Sequence, residues 1–224
     1  MKNVLVIINE KGTSSLSFFP LLDELPANFA EKLSLIFLDE AISEGFPVDK
    51  GYSIFLVNFN QKDMEEMGKR YNNFVKPIAV KGKSYPELIK NTVKAIGDFD
   101  KYLFVKSNII PYTEPQLKDF FSRLNVHDIV FGSFDEEDFY IIGFIKEILK
   151  EITSLKEISE GSIEELSLEK RLDVYYLPEK AIANSVESLT ELRNKLPHSS
   201  GLARKIDNLI LELTKYHGDD IEKL

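Results

Sequence analysis

The chain has no cysteine and no tryptophan, and only three histidines in 224 residues. Without cysteine there are no disulfides, no thiolate nucleophile and no thiolate-ligated metal. His127, His198 and His217 have no partner at metal-ligand spacing, which argues against a histidine-based zinc site. Basic residues are also in short supply: 28 Lys and Arg stand against 37 Asp and Glu, for a net charge of -9. Nucleic acid and anionic membrane surfaces both need a basic footprint, so neither is expected as a partner. No apolar run approaches the ~20 residues of a membrane-spanning helix. The stretch from Met1 to Ile8 is too short for a signal-peptide core plus cleavage site. A cytoplasmic location is the resulting expectation.

What is present is an alternation of apolar runs and helical patterns. Asn3 to Asn9 is a nearly continuous apolar run, the signature of a strand buried on both faces. Ala27 to Ser43 places Phe29, Leu33, Ile36, Phe37 and Ile42 close to the helical period. Further strands are expected over 53–59, 75–80, 102–106, 128–132, 139–144 and 172–177, and helices over 63–71 and 84–97. Ser84, Pro86 and Glu87 form a start signal for the second of these, and Thr113 with Pro115 for another. A charged helical stretch over 147–169 should break around Gly161. Asn184 or Ser185 is placed to cap a helix ending at Leu196. Pro197 to Gly201 then forms a hinge before a last helix carrying Leu202, Ile206, Leu209 and Leu213. This order predicts an α/β fold, a mostly parallel sheet with helices on both faces and one antiparallel excursion at 128–144.

The segment from Tyr102 to Phe144 holds most of the chemistry. It reads as strand, polar turn, capped helix, strand, acidic loop, strand. Lys106 ends the first strand, where it would either pair with a phosphate or point into solvent. Asp135, Glu136, Glu137 and Asp138 are consecutive carboxylates. They read either as a solvated hairpin tip or as holders of a cation. His127 reads as structural, because no acid partner is evident in sequence. Tyr140 should pack beneath the loop, and Phe120 and Phe121 should lie in the core. Lys81-Gly82-Lys83-Ser84 lacks the preceding glycine of a nucleotide phosphate loop at its required spacing, so that motif is rejected.

Several places along Val4 to Leu196 resemble the small bacterial GT-A-like glycosyltransferases of the radical-SAM or selenodomain-associated type, within the nucleotide-diphospho-sugar transferase superfamily. The family's first helix carries Ala-x-x-Leu-x-x-x-Phe-Leu-x-Asp, and Ala30 to Glu40 is close to it. Its Gln-x-Gly segment has a counterpart in Val80 to Ser84. Its loop Val-Leu-Gly-Pro-x-x-Asp-Gly-Gly-Tyr-Tyr-Leu-Ile-Gly-Leu is matched in outline by Val130 to Phe144. The chemical positions depart from the pattern. The metal strand ends Lys106-Ser107-Asn108, with Asn108 where the family has Asp. Thr13-Ser14-Ser15-Leu16 stands for Lys-Thr-Arg-Leu, so the basic loop keeps only Lys11. Glu137 and Asp138 replace Gly-Gly, with Glu136 in place of the loop Asp. Asn184 replaces a later acidic residue.

The resemblance implies a single-domain, GT-A/Rossmann-like three-layer sandwich over residues 1–196, with 197–224 a C-terminal amphipathic helical extension. It implies a nucleotide or nucleotide-sugar ligand, with Lys11, Gly12, Thr13, Ser14 and Lys106 as phosphate-binding candidates. Mg²⁺ or Mn²⁺ would be held by Asn108, Glu136 and Asp138. Asn108 offers a neutral oxygen where an electrostatic site wants a carboxylate. The lost acids and glycines favour a transferase-like protein whose metal-dependent transfer is lost or much reduced. One alternative is an active, divergent glycosyltransferase or nucleotidyltransferase with Asp135, Glu136 or Asp138 as catalytic or metal-binding groups. Another is an oligomeric or partner-binding scaffold. The final helix would be a homodimer contact, or would pack on the domain itself.

Overall fold

The structure, a computed structural model, describes residues 2–9, 27–47, 49, 51–71, 75–107, 109, 111–134, 136–180, 186–197 and 199–221. Seven strands form one sheet: β1 (Asn3–Ile8), β2 (Ser53–Asn58), β3 (Lys76–Ala79), β4 (Lys101–Lys106), β5 (Ile129–Ser133), β6 (Phe139–Ile145) and β7 (Val174–Tyr176). Eight α-helices are described: α1 (Ala27–Glu44), α2 (Gln61–Tyr71), α3 (Tyr85–Ile96), α4 (Glu114–Arg123), α5 (Leu149–Ile152), α6 (Glu160–Lys170), α7 (Val186–Lys195) and α8 (Gly201–Ile221). The strand order is β3-β2-β1-β4-β6-β5-β7. β1, β2, β3 and β4 are parallel, β6 runs antiparallel between β4 and β5, and β7 is parallel to β5. The chain therefore reverses its direction of growth between β1 and β4, the switch point at which α/β sheets open a crevice at their carboxyl edge.

The near-continuous apolar strands follow from helices covering both faces. Val4, Val6 and Ile8 of β1, with Tyr102 and Phe104 of β4, face Leu88, Ile89 and Val93 of α3 and Ile163 and Leu166 of α6. Leu5, Ile7, Leu103 and Val105 face α1, α2 and α4 through residues such as Ile42, Met67, Leu117 and Phe121. Each such side chain contributes roughly 1.5–3 kcal/mol by leaving water.

The expected start signals hold. The Glu87 N–H reaches Ser84 Oγ at 3.4 Å, and the Glu87 carboxylate accepts from the Lys83 N–H at 2.8 Å. The Thr113 N–H donates to Gln116 Oε1 at 3.0 Å. The charged stretch breaks elsewhere than expected. Residues 153–159 separate α5 from α6, and Gly161 lies inside the first turn of α6. Ser159 caps that helix, with the Ser162 N–H donating to its Oγ at 3.3 Å, so cap chemistry and not glycine sets the break. Asn184 and Ser185 lie outside the described residues.

The apolar stripe of the last helix is filled within the chain. Leu202, Ile206, Leu209 and Leu213 pack against Phe29, Leu33 and Phe37 of α1 and Leu189 and Leu192 of α7. Arg193 and Asp207 pair across α7 and α8, and Lys205 reaches Glu40 of α1 at 2.9 Å. A contact between copies through α8 would have to use its other face, where Leu211 is exposed. Among the described residues no helix is long and apolar enough to cross a membrane.

Candidate active site at the carboxyl edge of the sheet

The carboxyl ends of β1, β2 and β4 lie side by side, and each delivers polar side chains that are buried. The Asn9 amide donates to Asn58 Oδ1 at 2.9 Å, and Asn58 in turn donates to the Leu56 and Ile78 carbonyls at 3.2 and 3.4 Å. The Ser107 N–H donates to the Ile8 carbonyl at 3.0 Å, tying the end of β4 to β1. These contacts fix the carboxyl edge of the sheet at β1, β2 and β4, since buried polar groups hold one geometry when they are paired.

The wall beside β4 is built by a bulge. Gly132 of β5 faces Ile141, but the next residue, Ser133, faces Phe139, leaving Tyr140 as the extra residue of β6. A bulge re-aims the side chains around it. Phe139 turns to the α3/α6 face, while Tyr140 and Ile141 turn to the α1/α2/α4 face. Gly132 is required here, because a Cβ would sit 2.3 Å from the Tyr140 ring. The Tyr140 hydroxyl donates to the Pro178 carbonyl at 2.6 Å, which anchors the segment after β7. Tyr140 is thus packed as its sequence context suggests, and Phe120 and Phe121 lie in the core.

Lys106 does not point into solvent. Its side chain is 1% exposed, and Nζ lies 2.6 Å from Asp138 Oδ1. The rings of Tyr85, Phe139 and Phe134 surround the ammonium at 4.3, 4.7 and 5.9 Å from their centroids. Asp138 Oδ1 also accepts from the Phe139 N–H at 2.9 Å. The hairpin loop closes with the Phe134 N–H donating to the Asp138 carbonyl at 2.9 Å. The acidic loop is therefore not uniform: Glu136 and Glu137 are exposed, whereas Asp138 is drawn inward. Of the sequence candidates, the structure brings Lys106 and Asp138 together and holds Glu136 at the loop tip. Lys11, Gly12, Thr13, Ser14, Asn108 and Asp135 lie outside the described residues.

A divalent ion fits the described residues of this edge poorly. Mg²⁺ or Mn²⁺ needs several hard oxygens converging on one point. Among the described residues no three acidic, histidine or cysteine side chains gather in that way. Asp138 Oδ1, a carboxylate oxygen such an ion would use, already holds an ammonium.

Three features of the edge carried no sequence signal. Lys180, after β7, lies 3.5 Å over the Tyr112 ring and 5.8 Å from that of Tyr140. Burial lowers its ammonium to about 7. Burial, and then the neighbouring Tyr140, raise the Tyr112 hydroxyl well above the usual phenol range. Ser133, ending β5, donates to Glu160 Oε2 at 2.7 Å at the start of α6. Nothing in Pro178-Glu179-Lys180 sets that lysine apart from the 28 basic residues of the chain. His127 has an acid partner that sequence could not show, Asp173 at 2.8 Å. The pair lies at the opposite, amino edge. A groove of about 330 Å³ between α1, α2 and α8, lined by Lys32, Asp39, Arg70 and Lys205 among others, belongs to the helical layer and not to this edge.

The sheet order, the antiparallel β6 and the layered helices define the nucleotide-diphospho-sugar transferase (GT-A-like) fold, which nucleotidyltransferases share. Solved structures agree. A nucleotide-diphospho-sugar transferase-like protein from Desulfovibrio desulfuricans superposes with a TM-score of 0.74 at 19% identity, over 95% of this chain and 97% of its own. A CMP:2-keto-3-deoxy-manno-octonic acid synthetase complexed with CTP gives 0.56 at 11% identity, over 87% and 98%. Rv0371c from Mycobacterium tuberculosis, in complex with manganese, gives 0.51 at 10% identity, over 87% and 99%. No protein-family model and no curated protein matches the chain.

Proposed function

We propose that the chain binds a nucleotide or nucleotide-sugar in the crevice outside the carboxyl ends of β1, β2 and β4, as a transferase-like protein whose metal-dependent transfer is lost or much reduced. The observation that carries this is the Lys106–Asp138 pair, at 2.6 Å, inside a transferase fold. The fold supplies the crevice at its switch point. The pair commits a carboxylate that metal-dependent transfer would want. Asn108 in place of Asp, and Glu137-Asp138 in place of Gly-Gly, point the same way.

On this reading residues 1–196 carry the site, with Lys11, Gly12, Thr13 and Ser14 toward the phosphates, and 197–224 form a helical extension. The CTP complex and the manganese complex among similar folds support nucleotide as the ligand class and metal as the question to ask. Calorimetry with nucleoside mono- and diphosphates and their sugar conjugates, with and without Mn²⁺, tests the reading. Binding of at least one nucleotide, without turnover, is the expected result. Metal-dependent turnover would instead establish an active, divergent transferase, with Glu136 or Asp135 holding the ion. No binding to any nucleotide under either condition would overturn the proposal and move the search to protein partners.

A further inference from the structure

We infer that the Lys106 ammonium is a built-in cation held at Asp138 in place of a divalent ion, so that this part of the site carries its positive charge on the protein itself. The inference rests on the preceding reading for the ligand it serves, and on geometry alone for the pair.

Lys106 is the last residue of β4, at the carboxyl edge, and its side chain is 1% exposed beside an Asp138 side chain that is 18% exposed. An ammonium this deeply buried stays charged only if it is paired, because taking it from water without a partner costs several kcal/mol. The partner is Asp138 Oδ1 at 2.6 Å, and the Phe139 N–H at 2.9 Å holds the same oxygen in place. The faces of Tyr85, Phe139 and Phe134 attract a cation through their ring quadrupoles but supply no carboxylate or carbonyl to coordinate a hard ion. A divalent ion at Asp138 would lie beside the ammonium and be repelled by it. The cation belongs to the chain and is not removed by chelator, and it is flanked by the ring that the bulge sends to this face.

The test uses the full chain and Mn²⁺ alone as probe, followed by electron paramagnetic resonance and thermal melting. The native chain is expected to leave the free Mn²⁺ signal intact and to melt at the same temperature with and without the ion. Lys106→Met should melt lower by roughly 10 °C, since it takes the ammonium from a largely buried carboxylate. Lys106→Met combined with Asp138→Asn should melt above Lys106→Met alone and gain nothing from Mn²⁺. A single variant that fails to fold while the double variant folds supports the inference equally.

The inference is overturned if the native chain binds Mn²⁺ and Asp138→Asn abolishes that binding. It is overturned as well if the double variant is no more stable than Lys106→Met. A nucleotide panel that fails would sink the preceding reading alone, because no arm of this experiment contains nucleotide.

Discussion

Strand β4 begins and ends with a buried lysine, and the two solve the same physical problem differently. Lys101, 2% exposed at the amino edge, gives its ammonium to neutral acceptors: the Phe121 carbonyl in the last turn of α4 at 2.7 Å and Asn125 Oδ1 at 2.5 Å. Lys106, at the carboxyl edge, is held by a full carboxylate and three ring faces. Burial lowers the Lys101 ammonium from its ordinary value, because carbonyl dipoles compensate a buried charge only in part. The first lysine ties a helix end to a strand, an arrangement that serves packing. The second brings a charge pair to the edge where α/β folds bind ligands. The comparison teaches that a buried lysine is read by its partner and by the edge it occupies, not by its burial.

The largest expected effect separates the two ends directly. Lys106→Met should lose about 3–5 kcal/mol in urea unfolding, because it takes the ammonium from a largely buried carboxylate. Lys101→Met should lose less, about 1–3 kcal/mol, the cost of leaving the Phe121 carbonyl and Asn125 without their donor. Equal losses would mean that charge pairing is not what distinguishes the two lysines. Gly132→Ala sharpens the contrast without touching either one. Its Cβ would meet the Tyr140 ring at 2.3 Å, so about 1–3 kcal/mol of overpacking strain is expected. Combining it with Tyr140→Leu should recover part of that loss, and an unchanged loss would place the strain elsewhere.

Lys180 gives the edge a pH dependence. Its ammonium, lowered to about 7, is charged in the unfolded chain up to the ordinary lysine range, about 10.4. Between those values the unfolded state binds more protons, so this group's contribution makes stability rise with pH from about 7 toward 10. Below about 7 lysine is charged in both states and that gain is absent. Denaturation midpoints at pH 7 and pH 9.5 for native and Lys180→Met chains check this, with the variant expected to show the smaller rise. The smallest effect should come from the amino edge. His127 and Asp173 form a pair in which Asp173 is 65% exposed, so His127→Ala should change stability by no more than about 0.5 kcal/mol near neutral pH.

Much of this fold was legible because its signals are local. The apolar run of β1, the start signals at Ser84 and Thr113, and the helical spacing of α1 each report a backbone choice made within a dozen residues. The break before α6 was misplaced for the same reason. Gly161 is a familiar breaker, but the Ser159–Ser162 cap decides where the helix starts, and a glycine in the first turn of a helix is tolerated. The site was only half legible. Lys106 and the acidic loop stood out as residue types, yet their pairing spans 32 positions and depends on one extra residue in β6.

The sequence by itself determined the layered α/β class, because hydrophobic period and cap chemistry are short-range and each segment of the chain carries its own instructions. It also determined that thiolate and disulfide chemistry are missing, since the absence of cysteine can be read without coordinates. Only the tertiary structure decided that Asp138 turns inward to Lys106, that the stripe of α8 closes on α1, and that Lys180 rests on Tyr112. Those outcomes depend on strand register and on the burial that follows from it, and a one-residue bulge is enough to send a side chain to the opposite face of the sheet.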